Sequence, residues 1–302
     1  MALQDDLDSL FQEMQVTLTD KYFEMPQEDT TIYHYTNADS LISILSSMAL
    51  HASNVLFMND PLELSFAMGM AETVVDETTH HNKQPINDIY RKYYKTYFMT
   101  KLEPRAARQF VLSFSLKGDS LHMWNSYANN EGYALGFRLK DFAEGLLFLD
   151  ANDTSTKSLL LMQDGKFDFT DYSVYFGKML YSQDKQRKMI EDAVKFVDTA
   201  LGLISVYRPG RPAEEMQGEM SRFLQLFVAM LYNIKHEPHE VENEFRVVLL
   251  PDPGFRGTQY APRRGIVTPY VVLGPIEKVI ARIVIGPKMR EQMAETGLLS
   301  LA

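Results

Sequence analysis

Apolar residues along this chain change their period in blocks, and that pattern narrows the fold more than any single residue does. Leu3, Leu7, Leu10, Phe11, Met14 and Leu18 recur at helical spacing, so residues 3–18 are predicted to form an amphipathic helix. The β-branched and aromatic run Thr31–Tyr35 then reads as a short strand. Asn37 or Thr36 suits the cap of a helix through Ser46, and Asn59-Asp60-Pro61 reads as a turn that starts a helix running to about Thr79. Residues 84–101, rich in tyrosine, read as another helix. Phe110–Ser115 and Tyr133–Leu139 read as strands on either side of a helix over Ser120–Tyr127, with Gly132 suited to a left-handed cap after it. Residues 140–182 read as short strands mixed with turns, including a strand at Val174–Leu180. Two long helical patterns, 184–206 and 213–234, flank the breaker Arg208-Pro209-Gly210-Arg211-Pro212. Strands return at 244–250, 257–261, 268–273 and 279–285. Helices and strands in blocks imply an α+β fold with a mixed or antiparallel sheet, not a doubly wound parallel one. The 302 residues read as a single domain, with residues 1–30 as an N-terminal helical extension and residues 184–234 as a helical insertion.

Composition removes several function classes. The chain has no cysteine, which excludes a disulfide scaffold, a cysteine nucleophile and thiolate metal sites. Its start, Met1-Ala2-Leu3-Gln4-Asp5-Asp6, lacks the basic and apolar regions of a signal peptide. No apolar run reaches the roughly 18–20 residues of a membrane span. The expectation is a cytoplasmic protein with no membrane partner. A net charge of −10 argues against a broad nucleic-acid surface, because phosphate binding is largely electrostatic. Arg208, Arg211, Arg256, Arg263 and Arg264 can still form a local basic groove, or simply be solvated loop charges. The chain shows no Gly-x-Gly-x-x-Gly after a strand, no P-loop and no nucleophile elbow.

Five residues stand out as candidates for chemistry: Glu242-Asn243-Glu244-Phe245-Arg246, at the head of the apolar run Val247–Leu250. Read as the start of a strand, they put Glu242, Glu244 and Arg246 on one face. Paired carboxylates there can face a sugar cation, and the same spacing also fits a charged sheet face with Arg246 as counter-ion. On the first strand His34 and Thr36 share a face opposite Tyr35, an arrangement able to hydrogen-bond sugar hydroxyls. Ser113 and Ser115 repeat that geometry around Phe114. Trp124 and Tyr127 lie three apart on one helical face, placed to stack on a flat ligand or to fill a core. His236-Glu237-Pro238-His239-Glu240 has the wrong spacing for a zinc helix, and its proline argues for a loop. His51 and His122 have no partner legible in the sequence, and no metal is expected.

Taken in order, these segments resemble the bacterial family catalogued as domain of unknown function 2971. The resemblance is carried by His34-Tyr35-Thr36, Asn59-Asp60-Pro61-Leu62-Glu63, Ser113-Phe114-Ser115, Met123-Trp124-Asn125-Ser126-Tyr127-Ala128 and Glu242–Arg246, with Pro269-Tyr270-Val271 and Ile285-Gly286-Pro287 after them. That family looks like a branch of the ADP-ribosyltransferase superfamily. The resemblance implies an ADP-ribosyltransferase-like β core and NAD as co-substrate. It implies a macromolecular acceptor, protein or nucleic acid, and the role of a bacterial toxin or anti-phage effector with an antitoxin or other regulator. By the same resemblance Glu244 stabilises the ribosyl cation and Glu242 serves the acceptor. His34 and Thr36 hold the riboses, and Ser113 and Ser115 brace the site. Tyr35, Trp124 or Tyr127 stacks on nicotinamide. Two alternatives share these residues: an NAD glycohydrolase, and a non-catalytic nucleotide-sensing or partner-binding module.

Overall fold

A computed structural model describes residues 2–23, 25–58, 61–81, 109–145, 147–148, 157–158, 172–210, 216–251, 257–263 and 265–301. In chain order its elements begin with α1 (Ala2–Tyr22), β1 (Thr31–Thr36), α2 (Ala38–Ser47), β2 (Leu50–Asn54), α3 (Pro61–His81) and β3 (Phe110–Ser115). They continue with α4 (Leu121–Tyr127), β4 (Tyr133–Arg138), α5 (Leu139–Gly145), β5 (Leu147–Phe148), β6 (Lys157–Ser158) and β7 (Tyr172–Lys178). The last are α6 (Gln183–Tyr207), α7 (Gln217–Leu231), β8 (Glu244–Pro251), β9 (Gln259–Arg263), β10 (Ile266–Gly274), β11 (Ile280–Ile285) and α8 (Glu291–Leu299). Helices and sheet make an α+β chain, as the block pattern implies. The helix read over 84–101 lies outside the described residues, whereas β2 carries no strand expectation.

Two compact units emerge. One comprises Met1–Met25, Met58–Arg108 and Met179–Pro238; the other comprises Pro26–Phe57, Gln109–Lys178 and His239–Ala302. The N-terminal extension and the insertion thus contribute to the same unit. In it α1 buries Leu3, Leu7, Phe11, Met14 and Leu18, the stripe legible in the sequence. Phe11 packs edge-on against Phe223 of α7 at 5.3 Å, and the Tyr22 hydroxyl donates to Asp192 of α6 at 2.7 Å. Ser182 caps α6 by accepting the Lys185 N–H. Gln186 is fully buried, and its amide donates to the carbonyls of Leu180 and Lys235, closing the entry of α6 against the chain leaving α7. Nearby the buried Lys235 and Glu63 form an ion pair at 3.5 Å.

The second unit is built on the sheet. Every pairing between named strands is antiparallel, in the order β11-β4-β1-β3-β2-β10-β5-β6, with β8 on β3, β7 on β8 and β9 on β10. Strand β3 organises this arrangement. One of its edges pairs β8 along its whole length, from Phe110 opposite Leu249 to Ser115 opposite Glu244. Its other edge is divided: β2 takes Phe110 and Val111, and β1 takes only Ser115, through Tyr33. Between those contacts, Leu112–Phe114 has no ladder partner on that edge, so the sheet forks. Cross-strand partners share a face, and the core lies on one: Ile32, Leu112, Phe114, Phe137, Phe245, Val247, Val271 and Leu273 form one buried cluster.

Local signals set the borders. Asn37 caps α2 by accepting the Ser40 N–H at 2.8 Å. After α4 the left-handed residues are Asn129 (φ 51°) and Asn130 (φ 61°), so the cap falls on them and not on Gly132. Gly132 is required for another reason: a Cβ there would lie 2.5 Å from the Thr36 carbonyl oxygen.

One half-buried acid in the helical unit gives a test of its packing. Burial pushes the Asp198 carboxyl up to about 6, and its Oδ1 has no hydrogen-bond partner among the described residues. A carboxyl raised in the folded state costs stability wherever it is ionised. Asp198→Asn is therefore expected to raise the melting temperature at neutral pH. The gain should shrink as pH falls through about 6, where the wild-type carboxyl becomes protonated in the folded chain. Melting curves of both proteins across that range check this.

Candidate active site at the fork of the sheet

The three segments singled out in the sequence, far apart along the chain, lie on or run into three neighbouring strands, β1, β3 and β8. They meet where the ladder between β1 and β3 gives out. The His34 Nδ1–H donates to the Ser113 carbonyl oxygen at 3.2 Å, across the fork. The His34 ring also packs edge-on against Phe114 at 5.9 Å. Burial is the main cause holding the His34 pKa below its ordinary 6.5; the charge of Arg263 acts the same way, and the Ser113 carbonyl opposes them. Ser113 is exposed. Ser115 is fully buried and acts through the backbone: its hydroxyl donates to the Glu242 carbonyl at 2.8 Å and accepts the Lys117 N–H at 3.1 Å.

The two glutamates separate. β8 starts at Glu244, whereas Glu242 ends a 3₁₀ turn over Glu237–Glu242. Between them Asn243 takes a left-handed conformation, φ 45°, which breaks strand alternation. The expectation that Glu242, Glu244 and Arg246 share one strand face therefore holds for Glu244 and Arg246 alone. Those two form a buried ion pair: Arg246 Nε and Nη2 both donate to Glu244 Oε1, at 2.8 and 2.6 Å, with the residues 1% and 4% exposed. Across the ladder they face Ser113 and Ser115. The Glu242 carboxylate, also buried, has a different shell. The Tyr127 hydroxyl donates to Oε2 at 3.2 Å, His239 Nδ1–H donates to Oε1 at 3.2 Å, and His122 Nε2 lies 3.8 Å from Oε1.

The aromatic candidates divide as well. Trp124 is fully enclosed, its indole N–H donates to Asp119 at 2.8 Å, and Tyr35 packs against it at 4.6 Å. An indole with no exposed surface is not open to stacking on a ligand, so Trp124 serves the second hydrophobic cluster with Tyr33, Tyr35 and Ala134. The Tyr35 hydroxyl donates to the Lys117 carbonyl and accepts the Ser120 N–H, and burial raises its pKa to about 12. Thr36 is buried at the end of β1. Tyr127 is the partly exposed aromatic of the set.

Several residues beside the fork were not legible as a group. His51 stacks on Tyr270 at 4.2 Å, the Tyr270 hydroxyl donates to Gln259, and Arg263 Nη1 donates to Ser53 at 2.8 Å. Burial, then the Arg263 charge, also lowers the His51 pKa. The signal for them was the alternation Leu50-His51-Ala52-Ser53-Asn54, which marks β2. Of the other basic-groove candidates, Arg208 pairs with Glu219, and Arg211, Arg256 and Arg264 lie outside the described residues. Among the described residues no group of His, Asp or Glu is arranged to hold a metal, and no helix is long and apolar enough to cross a membrane.

Two outcomes follow from this geometry. Removing one partner of a buried ion pair leaves an uncompensated charge, so Arg246→Met should destabilise the fold by about 3–5 kcal/mol in urea unfolding. A histidine whose folded pKa is lowered contributes stability in full above its unfolded value. That contribution is lost as pH falls through 6.5, because the unfolded chain takes up the proton first. His34→Gln should therefore flatten the decline in melting temperature between about pH 7 and about pH 5.

No curated protein and no solved structure matches the chain. Residues 123–247, from α4 into β8, match the model of a family described as Protein of unknown function (DUF2971), which supports the resemblance of the chain to that family.

Proposed function

We propose that the protein is an ADP-ribosyltransferase that uses NAD and passes ADP-ribose to a protein or nucleic-acid acceptor. One observation carries the reading. His34, the Ser113–Ser115 pair and Glu244 stand on adjacent strands β1, β3 and β8, beside the stretch of β3 edge, Leu112–Phe114, that has no ladder partner among the described residues. Tyr33 pairs with Ser115, so His34 lies on the Phe114 face of the sheet and Glu244 on the other. Nothing in a charged sheet face requires that adjacency. The family resemblance gives the order of the motifs; their adjacency in space is independent of it. A role as bacterial toxin or anti-phage effector, with an antitoxin or other regulator, rests on the resemblance alone.

The chemistry follows from the groups. Cleaving the bond between nicotinamide and ribose builds positive charge on the sugar. Glu244 is the nearest carboxylate on β8 to the fork, and Arg246 holds its Oε1, which fixes the direction of Oε2. In this reading Oε2 accepts a hydrogen bond from the ribose 2′-hydroxyl and lies against the developing cation, where charge stabilisation acts on the transition state more than on the substrate. His34, whose pKa burial lowers, offers Nε2 to a ribose hydroxyl while Nδ1 stays on Ser113. Ser115 and Arg246 are positioning residues, and Tyr127 is the aromatic open to nicotinamide.

The decisive measurement is nicotinamide release from NAD. Glu244→Gln should lower it by about 100-fold or more in protein whose melting curve shows it folded at the assay temperature. Equal release by the variant and the wild type would remove Glu244 from the mechanism. Labelled NAD separates transfer to a macromolecule from hydrolysis to free ADP-ribose. Binding of NAD without any release would point to a sensing module instead.

A further inference from the structure

We infer that His239, oriented by Glu242, is the general base that takes the proton from a hydroxyl acceptor. The assignment rests on the proposed NAD chemistry and supplies its acceptor side. The Glu242 carboxylate is 6% exposed and already receives the Tyr127 hydroxyl and the His239 Nδ1–H. With each oxygen already accepting a hydrogen bond, Oε1 from His239 and Oε2 from Tyr127, the carboxylate meets an acceptor through these partners and not directly. The group it presents is the imidazole, whose side chain is 39% exposed. With Nδ1–H given to the carboxylate, the neutral ring carries its lone pair on Nε2, away from Glu242. A carboxylate that fixes the tautomer and aim of a histidine, and then neutralises the imidazolium, is a recurrent means of activating a hydroxyl. His122 lies 3.8 Å from the same Oε1, beyond hydrogen-bond distance, so His239 is the ring that Glu242 orients.

The backbone ties this dyad to the fork. The Ser115 hydroxyl donates to the Glu242 carbonyl, the Leu116 N–H donates to the Asn243 carbonyl at 2.9 Å, and Ser115 faces Glu244 across the ladder. Two carboxylates separated by Asn243 thus serve two centres, Glu244 the sugar and Glu242 the histidine. In the step, the bond from C1′ to the nicotinamide nitrogen breaks and its electron pair leaves with neutral nicotinamide. The acceptor oxygen forms the new bond to C1′, and its proton passes to His239 Nε2, giving an imidazolium paired with Glu242. A hydroxyl is the acceptor class that fits, since a neutral imidazole can take its proton as attack proceeds.

The test uses the full chain with NAD, water as one acceptor and methanol as a small hydroxyl probe. The wild type should yield nicotinamide with both ADP-ribose and its O-methyl riboside. His239→Gln and His239→Ala should lower kcat by about 100-fold or more, with the KM for NAD and the melting temperature retained. Added imidazole should restore turnover to His239→Ala, which a purely structural role would not allow. Wild-type turnover in either histidine variant overturns the assignment alone. So does a loss that imidazole does not rescue in a folded His239→Ala. No nicotinamide release by the wild type overturns the NAD reading and this assignment with it.

Discussion

The division of one edge of β3 is the constraint on which the sheet-bearing unit depends. A strand has two edges, and here one is filled by β8 while the other is shared between β2 at its start and β1 at its end. The six pairs with β8 hold β3 in place, so β1 and β2 can diverge without loosening it. β1 in turn is secured on its far side by six pairs with β4. The fork is thus framed by complete ladders, and polar groups at its mouth can be exposed without the strands that carry them being edge strands.

The buried pair of Glu244 and Arg246 sits on β8 behind that fork. Two charges removed from water are tolerated only when each finds the other at close range with good geometry. Arg246 meets that condition with two donors on one oxygen. The face opposite is the aromatic and aliphatic core around Phe114 and Phe245. β8 therefore separates a dry apolar layer from a compensated polar one.

Much of this was legible in the sequence because it is local. The stripe of α1, the cap at Asn37, the strand at Phe110–Ser115 and the order of the blocks all follow from period and turn chemistry. Arg246 as counter-ion to a strand carboxylate follows from alternation. What was not legible depends on contacts between distant segments. Trp124 and Tyr35 are equally good as ligand platforms or as core until the position of β4 is known. The His239 ring meets Glu242 because the 3₁₀ turn over Glu237–Glu242 brings residues three apart together, and the sequence there reads only as a loop. β2 escaped because its alternation lasts only five residues. The match over residues 123–247 begins after His34 and Ser113, so the family model does not reach the first two walls of the fork.

The divided edge also makes β3 a spacer gauge. The last residue held by β2 is Val111 and the residue held by β1 is Ser115. At about 3.3 Å per residue those four steps set the two prongs about 13 Å apart along the strand. That is comparable to the width of an aromatic ring together with the sugar attached to it. The slot is sized by peptide count and not by loops, so lengthening or shortening β3 by a single residue would change its bore and reverse the facing of everything beyond.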